Sequence, residues 1–391
     1  MNILYILTFA GVSKPKSGGQ NRFINIIDQL TRRNNEIMIL ESENFIDPND
    51  EHFGVVHRYK DIKISSRVLP LSRDFNLNFI KKIIEIIKDN QIDIILISHP
   101  SGMFITKLIT WLMRKKVRIV YDAHNVESRF TTEIFSNNNG HSKFERTIIP
   151  IYVNLLEKIS CKYLTDHILT VSNQDKESLI NNYKLVDKVS VLPSGCIIKP
   201  LSKKDESYKL KEKLGIDPFS KIVIFHGYYL HPPNKEAFRL IKEFIAPKFK
   251  ELEENVQFIV GGSDVPVFED SNFKSVGYIQ NLWEFLQTAD IAIVPLLKGG
   301  GTKLKLLDYL SVGLPVVTTK KGIEGIDAEN CEHVIVVNSV DNEFIKKINY
   351  LIENEHEMVR IGGNARKLAE NKYDWDRIGD HLNNLFEEIL K

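Results

Sequence analysis

What most limits the folds open to this chain is a pattern that runs through it twice: short β-rich apolar runs alternate with longer amphipathic stretches. In the first half the apolar runs lie at 3–8, 36–41, 92–98, 117–121, 167–171 and 188–192. Helical periodicity fills the gaps at 21–33, 79–88, 104–115 and 149–163. Over 79–88, Ile80, Ile83, Ile84 and Ile87 make one face, while Lys81, Glu85 and Lys88 stay outside. Strand–helix alternation of this kind means a parallel sheet with crossover helices.

After Pro193-Ser194-Gly195 the character changes. Residues 197–220 are polar and lysine-rich, and strands then restart at 221–225, 256–261, 273–277, 291–295, 315–319 and 333–337. Helices are expected at 234–243, 282–288, 302–312 and 342–354, and a last amphipathic helix at 375–390 follows a turn at 371–374. At roughly 150 residues per domain, 391 residues predict two or three domains. The reading is therefore α/β, with two Rossmann-like, doubly wound parallel-sheet domains joined near residue 195. Open sheets of this type place ligands at the carboxyl ends of their strands, so two facing sheets create a central cleft.

Composition removes several function classes. Fifty-two Lys+Arg against 51 Asp+Glu leave a formal charge of +1, so the chain is not built as a whole to bind nucleic acid. Cys161, Cys196 and Cys331 sit far apart with no CxxC spacing, which argues against a disulfide framework or a zinc ribbon and fits a reducing compartment. No apolar run approaches the roughly 20 residues that span a bilayer. The N-terminal run Ile3-Leu4-Tyr5-Ile6-Leu7 lacks a basic leader and reads as a first strand. A cytoplasmic protein is expected, at most peripheral on the membrane. The segment 104–118 mixes Ile105, Leu108, Trp111 and Leu112 with Lys107, Arg114, Lys115, Lys116 and Arg118. It reads either as a contact with an anionic membrane surface or as an ordinary crossover helix.

Three strand-to-helix turns could carry chemistry. The first, Ser17-Gly18-Gly19-Gln20-Asn21-Arg22, opens a helix with paired glycines that let backbone N–H groups approach an anion; a loop that merely turns the chain is the other reading. It is not GxGxxG, so a nicotinamide cofactor is not supported. The second, Tyr121-Asp122-Ala123-His124-Asn125-Val126-Glu127, crowds Asp122, His124, Asn125 and Glu127 at a strand end, where polar groups face the cleft. A core-satisfied His124 and a turn-capping Asp122 are the alternatives. Its spacing does not suit HExxH, and no second cluster supports a metal. The third, Lys298-Gly299-Gly300-Gly301-Thr302-Lys303-Leu304-Lys305-Leu306-Leu307-Asp308, sets glycines ahead of a helix whose first turn exposes N–H groups and about half a positive charge. Lys303 and Lys305, read in that first turn, oppose the dipole and call for an anion such as phosphate; a solvated lysine pair is the other reading. Gly301, Lys305 and Asp308 would share one helix face. Asp374-Trp375-Asp376 has a DxD shape, but its place before a helix favours N-capping.

At these residues the chain resembles the retaining glycosyltransferases of the GT-B fold, glycosyltransferase family 4. The strongest matches are Ala289-Asp290-Ile291-Ala292-Ile293-Val294-Pro295, then Gly300 through Asp308, then Gly313-Leu314-Pro315-Val316-Val317. Gly18-Gly19, Asp122-Ala123-His124-Asn125, Leu192-Pro193-Ser194-Gly195, Phe225-His226-Gly227 with Pro233-Asn234, Gly261-Gly262, Val276-Gly277-Tyr278 and Tyr373-Asp374-Trp375 follow in the family's order. The resemblance implies donor contacts from Gly18, Gly19, Gly227, Tyr278, Gly300, Gly301, Thr302, Lys303, Lys305 and Asp308. It implies catalytic roles for His124, Lys305 and Asp308, and an acceptor side at Arg22, Asp122, Asn125 and Glu127. The family carries two acidic residues eight apart in the nucleotide-sugar loop. Here the second is Asp308, assigned to the ribose, and the first is replaced by Gly300. Where many members clamp the diphosphate with Arg and Lys, this chain has Tyr228 and Asn234, which leaves Lys303 and Lys305 as substitutes.

The resemblance further implies an acceptor-binding domain at about 1–195, completed by the C-terminal helix at about 373–391, and a nucleotide-sugar-binding domain at 196–372. Expected partners are a nucleotide diphosphate-sugar, a UDP-sugar before a GDP-sugar, and a glycan or lipid-linked glycan acceptor. Neither a metal nor another cofactor is expected. A nucleotide-sugar epimerase or hydrolase, and an inactive binding partner, are the alternatives on the same fold.

Overall fold

The computed structural model describes residues 1–8, 11–12, 18–45, 54–61, 74–136, 142–201, 211–212, 214–252 and 254–391. Ser17, in the first glycine turn, lies outside the described residues, as does much of the polar stretch 197–220. The chain divides into two units: Met1–Pro193 with Ile378–Lys391 (unit 1), and Ser194–Arg377 (unit 2).

Unit 1 is built on the strands β1 (Asn2–Ile6), β2 (Glu36–Ser42), β3 (Val55–Tyr59), β4 (Ile94–Ile97), β5 (Arg118–Ala123), β6 (His167–Thr170) and β7 (Val189–Val191). They pair in parallel in the order β3-β2-β1-β4-β5-β6-β7. Helices α1 (Gly18–Arg32), α2 (Leu77–Asp89), α3 (Met103–Leu112), α4 (Glu127–Ser136), α5 (Lys143–Ile159) and α6 (Asn173–Tyr183) make the crossovers, and α5 runs on as a π-helical segment, Ser160–Leu164. One core joins Leu4, Ile6, Ile95 and Ile97 of the sheet to Phe79 and Ile83 of α2 and Ile109 of α3. Alternation along a strand therefore turns Ile3 and Tyr5 to the opposite face.

Unit 2 repeats the design with β8 (Lys221–His226), β9 (Val256–Gly261), β10 (Phe268–Asp270), β11 (Phe273–Ser275), β12 (Ile291–Val294), β13 (Val316–Thr319) and β14 (Ile335–Val337), in the order β10-β11-β9-β8-β12-β13-β14. The β10–β11 pair is antiparallel and the others are parallel. Its helices are α7 (Pro232–Leu240), α8 (Ala246–Glu251), α9 (Leu282–Gln287), α10 (Leu304–Ser311), α11 (Asn342–Glu353) and α12 (Glu355–Leu368); α13 (Trp375–Leu390) ends the chain and enters unit 1 at Ile378. In each sheet the order in which successive strands are added reverses beside the first strand, at β1/β4 and at β8/β12. Those are the crevices where open parallel sheets hold ligands.

Candidate active site

In unit 2 the crevice is lined by the end of β8 and the start of α10. His226 closes β8, and its backbone N–H donates to the Tyr309 hydroxyl (2.9 Å), which also faces His226 Nδ1 at 3.0 Å. His226 Nε2 lies 3.2 Å from Asp308 Oδ2. An ionised carboxylate can only accept, so Nε2 carries the proton and Tyr309 fixes the far side of the ring. Asp308, partly exposed, is thus held in one orientation at the crevice.

Lys305 sits one turn before it. Its Nζ donates to Asn234 Oδ1 (2.6 Å) and lies 4.0 Å from the centre of the Phe225 ring. Asn234 Nδ2 in turn donates to the Tyr228 carbonyl (2.9 Å), which fixes which way the amide faces. So Asn234, which the resemblance sets where a clamping cation is expected, orients Lys305. Burial and the neighbouring Lys303 bring the Lys305 ammonium down to about 7, although Asp308 pulls the other way. Gly227 makes room for this arrangement: a Cβ there would fall 2.8 Å from both Lys305 Nζ and Asn234 Nδ2.

Lys303 is elsewhere. α10 begins at Leu304, and Lys303 is its N-cap with φ −87° and ψ 88°, so only Lys305 occupies the first turn. Gly301 precedes the helix and does not share its face, which corrects the expected alignment with Lys305 and Asp308. Lys303 Nζ donates to the carbonyls of Gly299 (3.1 Å), Gly300 (3.0 Å) and Gly301 (2.5 Å) and lies 3.8 Å from Glu324. Its charge is therefore used on its own loop and not offered to an anion, and the clash with the dipole inferred from sequence holds for one lysine, not two. A peptide N–H points opposite its C=O. Gathering these carbonyls on Lys303 turns the amides of Gly300, Gly301 and Thr302 the other way, as in an anion-binding nest. Gly299 (φ 110°) and Gly301 (φ 67°) supply the left-handed backbone this needs. Thr302 Oγ1 is buried with no hydrogen-bond partner. Tyr278, which follows Gly277 (φ 70°), is exposed.

In unit 1 the β5 end carries a second constellation. Asp122 is fully buried and accepts from Arg22 Nη2 (2.7 Å), Arg22 Nε (3.2 Å) and the Tyr5 hydroxyl (2.7 Å). His124 Nε2 is 2.9 Å from Asp122 Oδ2. Burial opposes the charge on Asp122, but Arg22 and His124 outweigh it and hold the carboxyl well below the usual range. Asp122 is then an acceptor with all its partners in place. It keeps nothing for an acceptor substrate or for nucleophilic attack, and it orients His124 instead. Arg22 is buried with it but keeps one nitrogen, Nη1, without a partner. His124 packs edge-on to Phe23, and its Nδ1 lies 3.7 Å from where a Cβ on Gly19 would sit, so the ring faces the glycine start of α1. Gly18 opens that helix.

Glu127 belongs to a different group. Its Oε2 is 3.6 Å from His99 Nε2, and its backbone N–H donates to the buried Glu157 (2.7 Å). Asn125 is half-buried between the two groups in sequence. Sequence reasoning missed Tyr5 and His99, and it quoted His226 at a strand end without giving it a role. Tyr5 gave no signal, since it reads as one more strand apolar. His99 stands just past a strand end and could have been found by the rule that flagged His124, and the same rule would have given His226 its role. Asp374 accepts from the backbone N–H of Asp376 (3.1 Å), as an N-cap does.

Residues 220–354 match the family described as glycosyl transferases group 1, and residues 16–198 match that described as glycosyltransferase family 4. A protein of Methanocaldococcus jannaschii named uncharacterized glycosyltransferase MJ1069 is 21% identical over the full length of both chains. Among solved structures, Anabaena Alr3699/HepE in complex with UDP superposes with a TM-score of 0.73 at 14% identity, covering 99% of this chain and 100% of that one. Sucrose-phosphate synthase from Thermosynechococcus elongatus superposes with a TM-score of 0.72 at 15% identity, covering 99% and 98%.

Proposed function

We propose that this chain, a glycosyltransferase of the GT-B fold, moves a hexose from a nucleoside diphosphate-sugar to the hydroxyl of a glycan or lipid-linked glycan, with retention at the anomeric carbon. The observation that carries the reading is the β8/β12 crevice, where Lys305 is poised beside Asp308 at the start of α10. Lys305 and the outward amides of the Gly299–Gly301 loop take the diphosphate, and Asp308, oriented by His226, takes the ribose hydroxyls. Uridine is the favoured base, in keeping with the UDP and UDP-glucose complexes of the Anabaena protein. Unit 1, with its His124 constellation, is assigned to the acceptor.

Leaving-group charge falls on Lys305 and backbone dipoles, so the reaction as proposed requires no divalent metal. Gly300 offers no carboxylate to the anomeric carbon, and Asp122 is saturated. The acceptor hydroxyl therefore attacks from the face the diphosphate leaves, handing its proton to a departing phosphate oxygen, and no sugar–enzyme bond forms.

The experiment is incubation with UDP- and GDP-sugars and a panel of hydroxyl acceptors, with the anomeric configuration of the product read by NMR. Retained configuration with UDP-sugars supports the proposal. An inverted product, or a stable mass increase of one sugar on the enzyme, overturns the mechanism. Free sugar or an epimer formed without acceptor would make the protein a hydrolase or epimerase.

A further inference from the structure

Unit 1 turns an apolar surface to solvent on the sheet face that α2 and α3 cover. Along α5, Phe144, Ile148, Ile151, Leu155 and Ile159 recur at helical spacing and form one stripe. All five are exposed, Phe144 by 70%, Ile151 by 62% and Leu155 by 54%. The inward side of the same helix, through Ile149, Val153 and Leu156, is already buried. This helix is apolar on both sides, whereas a crossover helix that faces only water has a polar outer face.

The unpaired charges on this surface are mainly positive. Along 143–164 the exposed charged residues are Lys143, Lys158 and Lys162. Of the acids in the stretch, Glu157 is buried and the half-buried Glu145 accepts from the Ser142 backbone in a capping box, while on the adjoining α4 Glu133 pairs with Arg129 at 3.4 Å. α3 packs against the π-helical segment that continues α5, so the two surfaces adjoin. It exposes Phe104, Leu112 and Trp111, the last by 71%, and residues 103–118 hold Lys107, Arg114, Lys115, Lys116 and Arg118 with no acid. The neighbouring acid Asp166 is already shared, 3.7 Å from each of Lys107 and Arg118.

We propose that this face docks on an anionic lipid bilayer, with α5 lying in the plane of the surface. Its stripe enters the boundary between headgroups and acyl chains, and the flanking lysines and arginines meet the headgroup charge. Charge decides against a second copy of the chain. A self-complementary contact would bring the basic cluster of 107–118 against its own copy, where the acids Glu133, Glu145 and Asp166 are already paired within the chain. On this proposal 103–118 is an accessory to α5, and α3 is a crossover helix with a second, exposed face.

The test uses the full chain and vesicles of phosphatidylcholine with or without phosphatidylglycerol. Sedimentation should show binding to the anionic vesicles, weakened by salt, with a blue shift of tryptophan emission that Trp111→Phe removes. The double variant Ile151→Glu, Leu155→Glu should partition about ten-fold less or weaker still, with an unchanged melting temperature, because both side chains already face solvent. Absence of binding to anionic vesicles, or equal binding by the double variant, overturns the proposal. A wild-type dimer in light scattering that the double variant dissolves, without vesicle binding, would instead assign the face to a second copy.

Discussion

Lys305 holds its proton loosely, and that has a measurable consequence. A diphosphate binds the ammonium form, yet the side chain titrates at about 7 instead of 10.5 in the unliganded site. Binding of a UDP-sugar, whose diphosphate diester does not titrate in this range, should therefore take up a proton above about pH 7. Affinity should be flat below that pH and fall as pH rises toward about 9. Lys305→Met should abolish the dependence and weaken binding by about ten-fold or more, since charge-assisted contacts are worth roughly 1.5–3 kcal/mol. Calorimetry in buffers of different ionisation enthalpy reads the proton directly; no uptake in the wild type would refute the idea. The same lowered pKa has the opposite sign for folding. Between about 7 and 10.5 the unfolded chain holds more protons at this site, so the unliganded protein gains stability from Lys305 as pH rises. At Asp308 the expected split is kinetic. Asp308→Asn should raise donor KM with little change in melting temperature, and His226→Phe should raise it less, because it releases the carboxylate without removing it. A large loss of stability in Asp308→Asn would make it a structural residue instead. Of these residues, Lys305 stood out in the sequence because a lysine at a helix start is chemically odd, and Asp308 through the family pattern it matches. Lys303 was misjudged because the exact start of a helix, and the path of a long side chain back over its own loop, are not written in local pattern.

At the scale of elements, the parallel strands were readable because apolar runs buried on both faces carry the strongest signal. What escaped was weakly patterned. β3 is a sheet edge with His57 and Arg58 in it, β10 is three exposed residues, and α4 and α6 are short and polar. α12 was missed for a different reason, since Gly362 and Gly363 look like a break. The structure separates the two. A Cβ on Gly362 would lie 2.2 Å from the Gly313 carbonyl, in the turn after α10, whereas nothing lies within 4 Å of one on Gly363. Adjacent substitutions should then have opposite effects. Gly362→Ala must push helix and turn apart and should cost about 1–3 kcal/mol. Gly363→Ala should stabilise by roughly 0.5–1 kcal/mol through helix propensity. Denaturant melts of the two variants decide it. Equal effects would mean that α12 does not pack on the turn as described.

For the whole molecule the decisive element is α13, because the end of the chain returns to the unit where it began. Ile378, Leu382 and Phe386 are buried, Arg33 pairs with Asp380 at 2.7 Å, and Asn35 donates to Asn383 at 2.9 Å. Gly379 admits α1 closely, since a Cβ there would fall 2.5 Å from Gln29 Oε1. Each large apolar side chain contributes about 1.5–3 kcal/mol on burial, so the three together approach the roughly 5–15 kcal/mol that stabilises a whole domain. Deleting 378–391 removes all of that from unit 1 and nothing from unit 2, which ends at Arg377. Calorimetry of the truncated chain should show unit 1 melting early or already unfolded, while a second transition persists near its original temperature. On the proposed function, UDP at 100 times its dissociation constant should raise only that second transition, by about 2.7 kcal/mol of stability. A single transition that drops as one would show that the two units unfold together. An unaltered melting curve would show that α13 contributes little, despite its buried face.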